Sequence, residues 1–247
     1  MPHISIRAEP LFRLYGFVVT NTLVTSAIFL LLFFGVAIYY YKQAAQNYGK
    51  RSRLFYFIHY VNRTLYNFLS PILGSKMRLV FPFLGALFFF ILLQNWFGLL
   101  PGVGSIVLHI GEGAQKETVP LLRGNTTDLN TTLALGIFAV MTIQYYGVRF
   151  LGSGNYLRKF INIGNPLSFF VGILEIVSEF SKVISFSFRL FGNIFAGEVL
   201  LTVIAFLIPI AASFPFLILE IFVGFIQALI FTLLTAVFIN SAATETH

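Results

Sequence analysis

Six stretches of this 247-residue chain contain no Asp, Glu, Lys or Arg, and together they hold more than half of it. They are Leu14–Tyr41 (28 residues), Leu79–Gly111 (33), Leu129–Val148 (20), Phe160–Leu174 (15), Val199–Leu219 (21) and Ile221–Thr244 (24). A transmembrane helix needs about 20 consecutive apolar residues. A soluble domain is roughly 25% charged, whereas only 10% of this chain is. So few charges cannot cover a water-facing surface. Such a chain is not a soluble enzyme domain, a disordered protein or a nucleic-acid-binding domain. Its surface faces lipid.

The first three intervals each hold one ordinary span, with boundaries near 14–41, 79–100 and 129–150. The 28-residue first interval is too long for a cleavable signal sequence and reads as a retained span. From Asn165 to Ala243 the chain is almost continuously apolar, interrupted by isolated charges and by Pro209 and Pro215. The two prolines suggest a hairpin of two helices, 166–208 and 215–243. Forty-three residues at 1.5 Å each give about 64 Å, against a hydrocarbon core of about 30 Å. The first helix must tilt steeply, lie partly in the membrane plane or break, with Gly192 and Gly197 as weak points. The second, about 44 Å by the same arithmetic, must also tilt.

Between Lys42 and Arg78 there are seven basic residues and no acid, and Arg149, Arg158 and Lys159 form a second basic loop. Basic residues collect on the cytoplasmic side of membranes. The net charge of +7 therefore sets topology rather than indicating a nucleic-acid partner. Five spans with the N-terminus outside and the C-terminus inside fit the alternation. Within the first basic loop, over 51–70, Leu54, Ile58, Val61, Leu65 and Phe68 recur at helical spacing with His59, Arg63 and Asn67 between them. This predicts an amphipathic helix at the cytoplasmic interface. Three Asn-X-Thr sequons, at Asn62, Asn125 and Asn130, are short enough to arise by chance. There is no cysteine, the four histidines are scattered, and no phosphate-binding glycine loop is present. Metal, cofactor and direct nucleotide binding are not expected.

The informative charges lie inside the apolar region. The 166–208 helix carries Glu175, Glu179, Lys182, Arg189 and Glu198. At about 100° per residue, Glu175, Ser178, Lys182, Ser185, Arg189 and Asn193 share one face, and Glu198 lies about 180° from Arg189. Glu179 and Lys182 can pair with one another at i,i+3. Arg189 has no acid at i±3 or i±4, and arginine cannot discharge by losing a proton. Its counter-charge must come from Glu220 on the last helix or from a partner subunit. Glu220 and Gln227 share a face of that helix with Gly224 between them. Gln227 alone could be inter-helix glue. Acids on both helices have the chemistry of a proton relay.

These residues also carry a resemblance. Phe188–Glu198, FRLFGNIFAGE, resembles the R-L-F-G-N-x-x-A-G-E signature of subunit a of F-type ATP synthases. Glu220 and Gln227 match that family's second motif, and Pro82, Asn95–Pro101 (NWFGLLP) and Thr127–Leu133 (TDLNTTL) resemble further family segments. The resemblance implies an all-α membrane protein of about five membrane helices plus the interfacial one, its last two helices tilted against a ring of c subunits. It implies a proton-channel stator subunit with two offset half-channels, not an enzyme by itself. Arg189 would face the c-ring carboxylate. Glu198, Asn193, Glu220 and Gln227 would line the proton path, Glu175 and Ser178 the cytoplasmic half-channel, and Asp128 the outer entrance. Implied partners are the c-subunit ring, the peripheral-stalk b subunits and the rest of the F1Fo ATP synthase. The implied location is the bacterial plasma membrane, or the mitochondrial inner or thylakoid membrane. In one departure, many bacterial relatives have histidine where this chain has Glu220. A secondary ion-coupled transporter is the alternative, but no internal repeat of paired broken helices supports it.

Overall fold

Capping residues decide where the helices of the computed structural model begin. It describes residues 8–14, 17–46, 51–100, 103, 107–110, 117–160, 166–208 and 213–244. The Thr20 side chain accepts from the Leu23 backbone N–H and opens α1 (Asn21–Ala44). Ser52 does the same for Phe55 at the start of α2 (Arg53–Leu73). Each cap satisfies one of the donors that a helix start leaves without a partner. A single turn of 3₁₀ helix, Gly74–Lys76, separates α2 from α3 (Met77–Phe97). Gly74 sits at φ +53°, a backbone state that glycine enters without steric cost. Asp128 caps α4 (Leu129–Leu151), and α5 (Ser153–Phe160), α6 (Pro166–Leu207) and α7 (Ser213–Ala242) follow. Two short antiparallel hairpins complete the described residues: β1 (Pro10–Leu14) with β2 (Phe17–Thr20), and β3 (Val107–Ile110) with β4 (Glu117–Pro120).

Five helical segments are long and apolar enough to cross a membrane: Asn21–Ala44, Arg53–Phe97, Leu129–Leu151, Leu167–Leu207 and Ser213–Ala242. The chain is an all-α membrane protein. Its core lies where α2, α3, α4, α6 and α7 meet, around Leu69, Leu84, Phe88, Ile143, Leu190 and Phe231. Much of α1, and most of the first half of α6, is exposed apolar surface.

The two long helices form an antiparallel pair. Phe186 packs on Phe231 with ring centroids 4.5 Å apart and also touches Phe238, while Gly197 meets Glu220. Later positions on α6 thus meet earlier ones on α7. At 42 residues α6 is about 63 Å long, twice the hydrocarbon thickness.

Some details differ from the sequence reading. The first membrane helix starts at Asn21, not Leu14, because the β-branched run Val18-Val19-Thr20 pairs as a strand before the cap. Neither Gly192 nor Gly197 breaks α6. Gly197 is instead a close-approach point. Pro215 is the third residue of α7, in the first turn, where a missing N–H costs nothing; Pro209 lies outside the described residues. The expected apolar face of the interfacial helix divides: Leu65 is buried, Ile58 and Val61 half-buried, and Leu54 and Phe68 exposed. Helix α2 therefore presents apolar surface both to the bundle and away from it.

Candidate functional site

Helix α6 is anchored by one face. Phe186, Ser187 and Leu190 are buried against α4 and α7. The approach to α4 is close, because a Cβ on Gly136 would overlap the Ser187 hydroxyl. Rotation of about 100° per residue then turns Phe188 and Arg189 outward, and both are exposed. The Arg189 guanidinium donates to the Ser185 hydroxyl at 3.2 Å. Among the described residues it has no carboxylate partner. The only ion pair there is Lys182 with Glu179, at 2.6 Å. Lys182 also lies over the Phe238 ring at 4.9 Å, which turns it from the Arg189 stripe toward α7.

The internal counter-charge offered by the sequence is not used. The Glu220 carboxyl points at α6 but lands on Gly197, where any Cβ would overlap it. Eight residues separate Gly197 from Arg189, about 12 Å along the helix. Glu220 is buried and has no hydrogen bond among the described residues. Glu198, the residue after Gly197, is half-buried, and its Oε2 is enclosed without a partner. Acids of both helices therefore meet at one level, where α6 has given up a side chain to admit the second. Asn193 lies between this level and Arg189 and is half-buried.

Gln227 is buried and its amide Nε2 is unpartnered. Between Glu220 and Gln227, α7 is gripped by the end of α3. The Asn95 amide donates to the Gly224 carbonyl at 3.1 Å, and the Trp96 indole N–H donates to the Ile221 carbonyl at 2.9 Å. Gly224 makes room, since a Cβ there would stand 3.2 Å from Asn95 Cβ. The Asn95 Oδ1 is a third enclosed polar atom without a partner. Unpaired buried polar atoms cost free energy, and three of those among the described residues, on Glu198, Asn95 and Gln227, flank the 220–227 segment of α7. The sequence reading placed Asn95 and Trp96 in a family-like segment but missed their grip on α7. The signal was a polar pair near the end of the expected span 79–100.

The remaining candidates sit elsewhere. Glu175 is half-buried and Ser178 exposed on the first half of α6. Glu175 and Glu179 act on α5, which the sequence reading did not foresee. Burial, reinforced by the charges of Glu179 and Glu175, pushes the Tyr156 hydroxyl up to about 12. That hydroxyl is hydrogen-bonded to the Gln144 side-chain oxygen. Asp128 is buried at the start of α4. Its Oδ1 accepts from the Asn130 N–H at 3.0 Å and its Oδ2 from the Thr22 hydroxyl at 3.2 Å, so it ties α1 to α4. Asn125 is buried beside it, which removes that sequon from reach of a glycan.

Known proteins share this arrangement of sequence. The family described as ATP synthase A chain matches residues 22–240. ATP synthase subunit a of Gloeobacter violaceus is 35% identical over 190 residues, 76% of this chain and 71% of that protein. The chloroplastic ATP synthase subunit a of Stigeoclonium helveticum is 35% identical over 166 residues, 67% of this chain and 62% of that protein. The second match thus spans less than two thirds of its relative. With the match running from the start of α1 to the end of α7, the chain belongs to the ATP synthase A chain family.

Proposed function

We propose that this chain is the proton-translocating stator subunit of the membrane sector of an F-type ATP synthase, passing protons to and from carboxylates on a c-subunit ring. The observation that carries the reading is Arg189, a permanent positive charge exposed on a membrane helix with no acid partner among the described residues. A charge in lipid needs a counter-charge, and a passing ring carboxylate supplies one.

The electrostatics then impose direction. A fixed guanidinium stabilises the ionised carboxylate, so a ring site facing Arg189 gives up its proton. The same charge repels a proton leaking directly from one half-channel to the other. A site leaving the arginine must be neutralised before it meets lipid. Protons taken up from one side and released to the other therefore turn the ring. Glu220, Glu198, Gln227 and Asn193 form the outer path, beside the enclosed unpaired atoms of Asn95, Glu198 and Gln227. Glu175 and Ser178 serve the cytoplasmic path, and Asp128 stands toward the outer entrance. The peripheral-stalk b subunits and the rest of the F1Fo complex complete the assembly, in a bacterial plasma membrane. The subunit catalyses no reaction alone.

Purification from native membranes tests the partnership. In mild detergent the chain is expected to emerge with a small two-helix proteolipid carrying a membrane carboxylate. Isolation without such a protein contradicts the reading.

A further inference from the structure

Two lysines from separate parts of the chain converge on the end of α7. Lys76, in the turn between α2 and α3, donates to the Asn240 Oδ1 at 3.2 Å and the Ala243 carbonyl at 3.3 Å. Lys159, near the end of α5, donates to the carbonyls of Ser241 at 3.4 Å, Ala242 at 3.3 Å and Thr244 at 2.8 Å. The last carbonyls of a helix lack intrahelical partners and carry its negative dipole end. Five acceptors in the segment Asn240–Thr244 are thus held by two cations.

Each lysine is itself fixed. Lys76 lies 5.7 Å from the centroid of the Phe150 ring of α4, and Lys159 lies 5.9 Å from the Tyr156 ring of its own helix. Tyr156 is locked in turn, by its bond to Gln144 and by close packing on Gly147, where a Cβ would overlap the ring. Helix α5 is pressed to α6 where the Phe160 carbonyl meets Gly172. The clamp therefore references the end of α7 to α2, α3, α4 and α6 together.

The other end of α7 has little tolerance. The Glu220 carboxyl fits against α6 because position 197 is glycine, and its chain neighbours are Ala196 and Glu198. A slide of one residue's rise, about 1.5 Å, carries the carboxyl off the gap that Gly197 leaves for it. We propose that Lys76 and Lys159 are positioning residues that set the height of α7 and so keep Glu220 opposite Gly197. The inference rests on the stator reading and adds two residues that touch no reacting group.

The test uses the whole complex in native membranes, with Lys76→Gln, Lys159→Gln and the conservative Lys159→Arg. Each glutamine variant leaves the other lysine in place. Assembled complex is quantified, and proton flow per complex is followed across pH. Both glutamine variants are expected to assemble and to lose about tenfold or more in flow, since an ångström-scale misplacement can cost about a hundredfold. Their pH profile should shift, and Lys159→Arg should restore rate and profile. Normal flow per complex with an unshifted profile overturns the proposal. So does failure of either glutamine variant to assemble, which makes the lysines a simple structural cap. Arg189→Ala in the same membranes separates the two ideas. Coupled flow surviving that change defeats the stator reading, whereas its loss beside normal lysine variants defeats only this inference.

Discussion

The carboxyl of Glu220 on α7 rests against the backbone of Gly197 on α6, one residue before Glu198. Gly197→Ala therefore places a methyl group where the carboxyl now sits. Overpacking of this kind costs typically 1–3 kcal/mol, and the side chain that must move is the one proposed to carry protons. Proton flow should fall by at least about tenfold while the complex still assembles. Glu220→Gln keeps the shape and removes the charge, so it should slow flow or shift its pH dependence without lowering assembly. Normal, unshifted flow in both variants would remove this contact from the path.

Asn95 and Trp96 make the second contact that fixes α7. Asn95→Ala removes the donor to the Gly224 carbonyl and should lower stability by about 1 kcal/mol. Trp96→Phe removes the indole donor to Ile221 at similar cost. Because Trp96 is the chain's one tryptophan, its fluorescence in a preparation otherwise free of tryptophan reports the grip directly. Loosening α7 should red-shift the emission. Unchanged emission and melting temperature after Asn95→Ala contradict the clip.

How much of this was legible differs by element. Helices α4, α6 and α7 start and end within a residue or two of the spans read from the sequence, 129–150, 166–208 and 215–243, because long apolar runs and the proline break mark them. That Arg189 shares a face with Ser185 and Asn193 followed from the 3.6-residue period; that this face turns outward did not, since Glu220 stood as an internal partner. The two hairpins and α5 were not legible. They are short, lie at the ends of the apolar intervals, and carry no periodic signal of their own. Nor could the sequence choose a partner for Glu220, since that choice depends on a missing Cβ at Gly197 and on the rotation of two helices about their axes. The lysine clamp was hidden for a related reason. Lys76 and Lys159 read as members of basic loops, and only the folded chain brings both to one helix end.

Asp128 has two roles that substitution can separate. Asp128→Ala removes the α4 cap and leaves Thr22 without its acceptor, costing about 1–2 kcal/mol. Asp128→Asn retains a capping oxygen and should fold normally. If Asp128 also feeds protons to the outer path, the asparagine variant assembles fully yet takes up protons more slowly at low driving force. Equal uptake confines Asp128 to its structural role.

Tyr156 supplies a pH signature. Its hydroxyl titrates at about 12 in the folded protein, above the ordinary value of about 10. Its folded pKa is raised, so its contribution to stability is fully present below pH 10 and is lost as pH rises toward 12. Tyr156→Phe should lower stability at neutral pH by about 1 kcal/mol through the lost bond to Gln144. The gap from wild type should narrow between pH 10 and 12. Melting curves of the two complexes, compared across that window, check the sign; a gap that widens contradicts the assignment.

The central claim is that the charge of Arg189 couples ion flow to rotation through a carboxylate from outside the chain. Its most direct test is ATP synthesis driven by an imposed proton gradient, in membranes whose complex carries Arg189→Ala. The exposed side chain contributes no packing to the core, so the complex should assemble in normal amounts while driven synthesis is abolished. Coupled synthesis at a substantial fraction of the normal rate, from a fully assembled complex lacking this guanidinium, would contradict the account.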